Sequence, residues 1–414
     1  MEAVSTSNFN IRELIEQESI EIHFQPIASI RRGTIVGVEA LSRGLDRNHQ
    51  RIPPMNLFSQ AAAQGLTLEL DRLCRRKAVE SFLQLHETNS ELILFVNFHA
   101  TAIEEVAVGN HSFLKLVQRL NLDPQNVAIE ILESEFDSAT QWRTATERNK
   151  QSGFLMVLDD IGAGHSNLDR VIYVKPDILK ADRSLVAEIN DDYYKQEVLR
   201  SLIQLSERIG GWLIVEGVEQ QEEAICALDL GADMLQGFYF ARPQPLVSND
   251  SRQWNLHPVQ DTSAKFKIHT LEKLKTSELR HQQRTAIAKE VTAQLASVGV
   301  ESFEHRLSQL SRNYPMVESF CVLDTSGIQV TETVCNPRSD EVQKTIIFKP
   351  PAKGTNHSFK EYYYLLTETE KEEFETLPYV PLPSSDLCIT VSALFQDCNH
   401  QTFILCLHMF VAHT

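Results

Sequence analysis

The chain has 414 residues, of which 42% are hydrophobic and 23% charged, and a formal net charge of -17. The composition is that of a globular protein, and the length is too great for one ordinary hydrophobic core. The negative net charge argues against non-specific binding of nucleic acid. No stretch approaches the roughly 20 apolar residues of a membrane span, the N-terminus lacks a signal-peptide core, and the 7 cysteines form no C-x-x-C pair. We therefore expect a cytoplasmic protein with reduced thiols.

Short apolar runs alternate with helical patterns from the start of the chain to about residue 244. This alternation predicts an α/β fold, a TIM-type (β/α)8 barrel, with a doubly wound open sheet as the alternative. The candidate strands are 20–24, 34–40, 92–98, 127–132, 154–159, 178–180, 212–215 and 234–238. Several of the intervening helix candidates end at a glycine that suits a C-cap, namely Gly65, Gly153, Gly210 and Gly231.

The composition changes after Pro243 and Pro245. Apolar residues over 261–298 recur at roughly three-and-four spacing, which predicts a long amphipathic helix that either lies on its own domain or forms a connector and dimer seam. A hairpin pattern at 317–334 and strands at 344–348, 388–395 and 402–410 predict a small α+β domain. We predict a barrel domain over 1–250, a connecting helix over 251–300 and a second domain over 301–414.

Polar residues end seven of the apolar runs in the predicted barrel. In a TIM barrel these ends lie at one face, so the side chains should meet in one mouth. A single polar residue in a strand is usually a satisfied core group, and Asp159-Asp160 alone fits a solvated turn equally well. Seven strands ending alike indicate a site. The residues are Glu39, Asn97, Glu130, Asp159 with Asp160, Lys180, Glu216 and Gln236.

Five carboxylates in one mouth would repel one another strongly without cations. Their hard oxygen donors suit Mg²⁺ or Mn²⁺, and two such ions would neutralise them. A pair of divalent metals is the standard device for in-line attack on a phosphodiester. The metals would also supply the attraction for phosphate that this acidic chain lacks.

Glu39-Ala40-Leu41, with Arg43 two residues on, resembles the signature of the EAL-type cyclic-di-GMP phosphodiesterases. The match continues in order through 25–27, 97, 130–133, 159–160, 180–182, 216–219 and 236–238 to about residue 243. The resemblance implies metal-dependent hydrolysis of cyclic-di-GMP to linear pGpG, controlled by the C-terminal domain. The main alternative is a non-catalytic receptor that binds cyclic-di-GMP, and an unrelated metal-dependent barrel hydrolase is a third.

The resemblance also implies a role for each matching residue. The first metal would be held by Glu39, Asn97, Glu130 and Asp159, and the second by Asp159 and Asp160. Catalysis would involve Glu39 and Asp160, with Lys180 orienting the attacking water and Glu216 acting as a base-like partner. The substrate-binding set would be Gln25, Leu41, Arg43, Asp182, Gln236 and Pro243. The loop after Asp160 would be anchored by Glu133 and Glu219.

Some positions have a plainer interpretation or differ from the family. Arg43 and Glu133 could form ordinary rim ion pairs, and His165 is expected to be a solvated loop residue. The family usually has threonine at Leu132 and phenylalanine at Ile161. These two departures flank the loop after Asp160, so they bear on its closure.

The second half resembles PAS-like or Cache-like sensory domains through 358–364, 377–380 and 389–392. This resemblance implies a regulatory domain that responds to an unknown small-molecule signal and a homodimeric protein. A domain used only for dimerisation is the alternative.

Overall fold

The computed structural model describes residues 9–99, 111–131, 139–163, 168–246, 254–336, 350–369, 371–381 and 386–411. The chain divides into two compact units, Met1–Leu271 and Glu272–Thr414, called here the barrel unit and the C-terminal unit. Across the described residues, no helix combines the length and apolar content that crossing a bilayer requires.

The barrel unit alternates strands and helices. Its strands are β1 (Ile20–Ser29), β2 (Thr34–Leu45), β3 (Arg51–Ile52), β4 (Ile93–Phe98), β5 (Val127–Ile131), β6 (Leu155–Ile161), β7 (Ile178–Ala181), β8 (Trp212–Val215), β9 (Met234–Leu235) and β10 (Gln244–Pro245). Its helices are α1 (Ile11–Glu16), α2 (Pro54–Ala63), α3 (Thr67–His86), α4 (Ser112–Arg119), α5 (Ala139–Gln151), α6 (Asp169–Val174), α7 (Arg183–Val186), α8 (Tyr193–Arg208) and α9 (Gln221–Leu230).

Eight of these strands close the predicted barrel. They pair in the order β1-β9-β8-β7-β6-β5-β4-β2, and β2 pairs back to β1. Six of the pairings, from β2–β4 to β8–β9, are parallel. β1 instead runs antiparallel to β2 and β9, because a tight turn at Gly33 (φ 68°) joins β1 to β2 where a TIM barrel has a helix.

An apolar layer fills the middle of the barrel. It consists of Ile27, Phe95, Ala128, Val157, Ile178, Ile214 and Met234, all nearly or fully buried. β2 contributes Gly37 at this level, where an added Cβ would lie 2.6 Å from Phe95 Cε2. The glycine therefore makes room for the Phe95 ring. Because side chains alternate along a strand, residues two positions away point into the same interior.

Local sequence signals explain how the helices end. α9 begins with a capping box formed by Gln220 and Glu223. All four predicted C-cap glycines have a positive φ, which confirms the prediction; they are Gly65, Gly153, Gly210 and Gly231.

The long helix α10 (His257–Ala296) follows the barrel strands. The C-terminal unit then contains α11 (Phe303–Leu310), β11 (Val317–Asp324), β12 (Val334–Cys335), α12 (Glu361–Glu368), β13 (Glu373–Glu375), β14 (Cys388–Gln396) and β15 (Thr402–Phe410). Its five strands form an antiparallel sheet in the order β12-β11-β15-β14-β13. One apolar cluster joins this sheet to Ala288, Val291 and Leu295 of α10.

The predicted hairpin at 317–334 is only partly correct. β11 is present, but 328–333 is not a strand, and only Val334–Cys335 pairs with β11 beyond an isolated bridge between Leu323 and Gln329. The Gln329 N–H donates instead to the Thr355 carbonyl at 2.9 Å, and the Gln329 carbonyl accepts from the Gly354 N–H at 2.8 Å, so the backbone here pairs with 354–355 in place of a continuous ladder with β11. The predicted strand at 344–348 lies outside the described residues.

Candidate active site

The barrel places the predicted polar residues directly above its apolar layer. In β4 to β9 each polar residue follows a layer residue by two positions, as Asn97 follows Phe95 and Lys180 follows Ile178. In β1 the order is reversed, because that strand runs the other way, and Gln25 precedes Ile27. We call this set the polar ring. It consists of Gln25, Glu39, Asn97, Glu130, Asp159, Lys180, Glu216 and Gln236.

Lys180 lies at the centre of the polar ring and is 1% exposed. Its Nζ is 2.6 Å from Glu130 Oε1, 3.5 Å from Glu39 Oε2 and 3.5 Å from Asp159 Oδ1, and it also contacts Glu216. Burial by itself would lower the pKa of Lys180, but the surrounding carboxylates hold that pKa well above its usual value. Lys180 is therefore a fixed buried cation.

One lysine does not compensate all of its neighbours. Burial, followed by repulsion from Glu39, raises the pKa of Glu130 well above its ordinary value. Burial also raises the pKa of Glu216 to about 8 and raises the pKa of Asp159. Protonation thus relieves the charge in the metal-free ring.

Glu39 is the exception among these acids. Burial raises its pKa, yet the charge of Lys180 and hydrogen bonds from Gln236 and Asn97 bring the net pKa below the usual value. Gln236 Nε2 donates to Glu39 Oε2 at 2.7 Å, and Asn97 Nδ2 donates to Oε1 at 3.1 Å. Both carboxylate oxygens are therefore held in place from neighbouring strands.

Gln25 extends the same network to the segment before β10. Its Oε1 accepts a hydrogen bond from Gln236 Nε2 at 3.4 Å, and its Nε2 donates to the Ala241 carbonyl at 3.2 Å. Pro243 follows two residues later, directly before β10, which pairs with β1. The structure thus connects Gln25 to the segment that carries Pro243.

Asp159 and Asp160 differ in backbone conformation. Asp160 has a φ of 56°, in the left-handed region, and its N–H donates to Asp159 Oδ1 at 2.8 Å. Burial, followed by repulsion from Asp159 and Asp182, raises the pKa of Asp160 to about 6. Carboxylate oxygens of Asp159, Asp160 and Glu216 all lie within 4.8 Å of one another, a spacing that suits a shared cation. Glu216, predicted as a base-like partner, is thus also placed as a possible ligand.

The polar ring has the donor chemistry of a divalent-cation site. Among the described residues, both oxygens of Glu130, Oε1 of Glu216 and Oε1 of Gln236 are buried and accept no hydrogen bond of suitable geometry. The contacts of Lys180 with Glu130 Oε1 and with Glu216 Oε1 are ion pairs without that geometry. Buried oxygens without donors are normally satisfied by a ligand or ion. The residues therefore fit a hard cation such as Mg²⁺, Mn²⁺ or Ca²⁺.

Leu41 and Arg43 continue the inward face of β2 beyond Glu39, at two and four residues further on. β2 extends to Leu45, well past its predicted end at residue 40, and this extension places both residues beyond the carboxylates. Arg43 is half-buried, its Nη1 donates to the Ser42 carbonyl at 3.0 Å, and burial lowers its pKa. Arg43 forms no ion pair with a described residue, so the plainer interpretation as a rim ion pair finds no support there.

The remaining predicted residues lie at the edge of the site or outside it. Asp182 caps α7 by accepting a hydrogen bond from the Ser184 N–H at 2.9 Å. Glu219 pairs with Arg183 at 3.0 Å, and both side chains are largely exposed. Arg183 was not predicted, although it follows the matched segment 180–182; it also donates to the Gly217 carbonyl at 2.5 Å. Glu133, Leu132 and His165 lie outside the described residues.

Two backbone turns that carry site residues touch each other. The Val218 N–H donates to the Gln236 carbonyl at 3.1 Å, and the Tyr239 N–H donates to the Val218 carbonyl at 3.0 Å. A Cβ on Gly237 would lie 2.0 Å from the Val218 carbonyl oxygen. Only glycine at this position lets the turn after Glu216 approach the turn after Gln236.

The sequence matches the EAL domain family over residues 9–243, more than half of the chain. The chain belongs to the EAL domain family. This assignment agrees with the predicted family resemblance.

Curated relatives match the same region. The cyclic di-GMP phosphodiesterase PdeR of Escherichia coli is 27% identical over 242 residues, 58% of this chain and 36% of PdeR. The cyclic di-GMP phosphodiesterase RocR of Pseudomonas aeruginosa is 26% identical over 232 residues, 56% of this chain and 59% of RocR. The matched region of this chain thus covers about a third of the length of PdeR and about three fifths of the length of RocR.

Solved structures show the same fold. The YkuI protein of Bacillus subtilis, with an EAL domain and in complex with c-di-GMP and calcium, has a TM-score of 0.79 and 22% identity, over 98% of this chain and 100% of YkuI. At that identity the likeness concerns the fold alone. A standalone EAL protein from Vibrio cholerae in its c-di-GMP-bound form has a TM-score of 0.50 and 25% identity, over 58% of this chain and 97% of that one.

Proposed function

We propose that this EAL-family chain hydrolyses cyclic-di-GMP to linear pGpG with two divalent cations, Mg²⁺ or Mn²⁺, in the polar ring. The observation that carries the proposal is the charge around Lys180. When all of them are ionised, five carboxylates, those of the polar ring and Asp160, face a single buried lysine, which leaves four negative charges. Two divalent cations would balance that charge and bind the buried oxygens of Glu130 and Glu216 that accept no hydrogen bond of suitable geometry.

The proposed metal ligands are Glu39, Asn97, Glu130, Asp159 and Asp160. Glu216 is close enough to Asp159 and Asp160 to join them. When bound, the cations would polarise the phosphodiester and lower the pKa of an attacking water molecule. Gln236 and Asn97 would keep the Glu39 carboxylate oriented toward this site, because each already holds one of its oxygens.

Lys180 and Glu216 are the proposed proton-handling pair. Lys180 Nζ would donate a hydrogen bond to the attacking water and hold it in line with the phosphorus. Glu216, which contacts Lys180 and lies beside Asp159 and Asp160, would accept the proton that this water loses. The water oxygen forms a new bond to phosphorus, and the bond to the ribose 3′ oxygen breaks. That oxygen takes up a proton from solvent, and Glu216 returns its proton to solvent. The product is the linear dinucleotide with a 5′ phosphate.

The substrate proposal rests on the relatives and on the residues beyond the carboxylates. PdeR and RocR carry the name cyclic di-GMP phosphodiesterase. Arg43 would contact a phosphate oxygen, and Leu41 would pack against a guanine base. Gln25, Asp182 and Pro243 would complete the substrate-binding set, and Glu133 and Glu219 would anchor the loop after Asp160.

Hydrolysis can be tested with the full chain and purified cyclic-di-GMP in buffer with Mn²⁺, Mg²⁺ or EDTA. We expect linear pGpG by liquid chromatography with either metal, no product with EDTA, and at least a hundredfold loss in Glu39→Gln. Binding of cyclic-di-GMP without metal-dependent product in the wild type would contradict hydrolysis and favour a receptor.

For the C-terminal unit we propose a sensory or dimerisation role in a homodimer. The helix α10, which begins in the barrel unit and continues into the C-terminal unit, carries four aliphatic side chains that are each more than half exposed. A second copy would bury them; they are Ile268, Leu271, Leu274 and Leu279. Sedimentation velocity should show a dimer for the wild type and for the control Lys275→Gln. The double substitution Leu271→Gln and Leu274→Gln should shift the population to monomer. A wild-type monomer at all concentrations would contradict the dimer.

A further inference from the structure

A second cavity opens at the end of the barrel opposite the polar ring. Its volume is about 590 Å³, and its lining includes residues at the beginnings of five strands, Val36 of β2, Ile93 of β4, Leu155 of β6, Ile178 of β7 and Trp212 of β8. This volume lies in the range of small-molecule sites, roughly 300–1,000 Å³. Catalytic residues of a TIM barrel lie at the opposite end, and residues at this end normally contribute to stability. The cavity is therefore separate from the proposed catalytic site.

The floor of the cavity is apolar. Phe95, Ile178 and Met234 form this floor, and they also belong to the apolar layer in the middle of the barrel. Val36 and Ile93 pack against the same layer but remain partly exposed. Apolar side chains that are left partly exposed in a concave surface gain free energy when an apolar ligand covers them.

The rim of the cavity presents an aromatic ring and a cation. Trp212 is 45% exposed, and the Arg32 guanidinium lies 5.6 Å from the centre of its ring. No carboxylate pairs with Arg32 within the described part of the chain. Asp177, an acidic residue of the lining, is already held by Lys150 Nζ and by the Met156 N–H, both at 2.8 Å. Arg32 is therefore available to a ligand anion.

Glu91 is the second acidic residue of the lining, after Asp177. It is exposed, and no side-chain contact fixes it among the described residues. Arg32, by contrast, is positioned by its contact with Trp212. The rim thus favours a ligand with one negative charge over a ligand with one positive charge.

We propose that this cavity binds a small aromatic monoanion, with its rings on the apolar floor beside Trp212 and its anionic group at Arg32. This inference stands independently of the proposed hydrolysis, because none of the polar-ring residues lines the cavity.

Fluorescent probes of matched shape test the site in the full chain. The anionic probe is 8-anilinonaphthalene-1-sulfonate, and the neutral probe is N-phenyl-1-naphthylamine. The variants are Arg32→Gln, Arg31→Gln and Thr34→Phe. Arg31 is the control, because it is exposed and does not line the cavity, and phenylalanine at Thr34 adds bulk to the lining. Circular dichroism melting establishes that each variant is folded.

We expect saturable binding of one anionic probe per chain. Arg32→Gln should weaken that binding about three- to fivefold, as for a partly screened ion pair, and leave the neutral probe unchanged. Thr34→Phe should weaken both probes, and Arg31→Gln neither. Absence of saturable binding, equal effects of Arg32→Gln and Arg31→Gln, or unchanged binding in a folded Thr34→Phe variant would each overturn the proposal.

Discussion

Lys180 Nζ lies 2.6 Å from Glu130 Oε1, and the two side chains are 1% and 0% exposed. A buried carboxylate needs a charge partner, and here one lysine serves four carboxylates at once. The same lysine is the proposed water-orienting group. Its charge therefore supports the folded state and, in our proposal, the reaction.

Replacing Lys180 should separate these two roles. Lys180→Met leaves the buried carboxylates uncompensated, and we expect it to lower the free energy of unfolding of the metal-free protein by about 3–5 kcal/mol. Saturating Mn²⁺ should recover much of that stability, because the cations supply charge, but turnover should stay at least a hundredfold reduced. Thermal melts and product assays, with the exposed Lys115→Met as control, check this. Full activity of Lys180→Met in Mn²⁺ would contradict the proton-handling role.

Gln236→Ala should weaken metal binding without removing a proposed ligand. Gln236 fixes Glu39 Oε2 at 2.7 Å, and loss of such an orienting partner typically costs 10–100-fold in metal affinity, so we expect about tenfold or more. The measurement is the Mn²⁺ concentration at half-maximal turnover. An unchanged half-saturation would mean that Glu39 needs no support from Gln236.

Gly237→Ala should destabilise the barrel unit far more than an ordinary glycine substitution. Its Cβ would lie 2.0 Å from the Val218 carbonyl oxygen, and backbone overlap of this kind should cost about 3 kcal/mol. The matched control is Gly65→Ala, where φ is 66° and no atom lies within 4 Å, so only the backbone cost of about 1 kcal/mol applies. Urea denaturation should rank the two variants in this order; a reversed order would refute the packing argument.

The stability of the metal-free protein should fall as pH rises from about 4.5 to about 8. The pKa of Glu216 is about 8 in the folded state against an ordinary value of 4.5, so in this window the folded chain keeps a proton that the unfolded chain has lost. Below this window the contribution is constant. Cations compete with these protons, so Mn²⁺ should raise the melting temperature more at pH 8 than at pH 6. Glu216→Gln should flatten the profile. A metal-free stability that rises between pH 6 and pH 8 would contradict the assignment.

Arg43→Gln should affect substrate affinity and spare metal binding. A charge-assisted contact to phosphate is worth about 1.5–3 kcal/mol, so KM should rise about tenfold or more while half-saturation by Mn²⁺ stays unchanged. The control is Arg47→Gln, because Arg47 is exposed and pairs with Glu13. Equal KM values in the two variants would exclude Arg43 from the substrate site.

The closed barrel could be predicted because apolar runs and capping glycines are local signals. Residues such as Glu130 and Lys180 could also be placed together, because each ends an apolar run. The reversed direction of β1 was not predicted, because this strand was expected to end at residue 24. It runs to Ser29, and the short turn at Gly33 then requires an antiparallel pair with β2. The left-handed backbone of Asp160 was equally hidden, because non-glycine residues adopt it only under tertiary constraint.

Side-chain hydrogen bonds were the least predictable part. Nothing in the sequence indicates that Gln236 and Asn97 hold the two oxygens of Glu39, because these residues are far apart along the chain. The contact between Gly237 and Val218 is hidden for the same reason. In the C-terminal unit, 328–333 is not a strand because the backbone of Gln329 bonds to Gly354 and Thr355, which lie about 25 residues further along the chain.

The most direct test of the central claim is the number of divalent cations that the polar ring binds. Isothermal titration of the metal-free full chain with Mn²⁺ in the presence of cyclic-di-GMP should give two ions per chain with release of protons. Asp159→Asn should reduce that number, because Asp159 is the proposed shared ligand. Absence of Mn²⁺ binding, or two ions bound equally well by wild type and Asp159→Asn, would contradict the account.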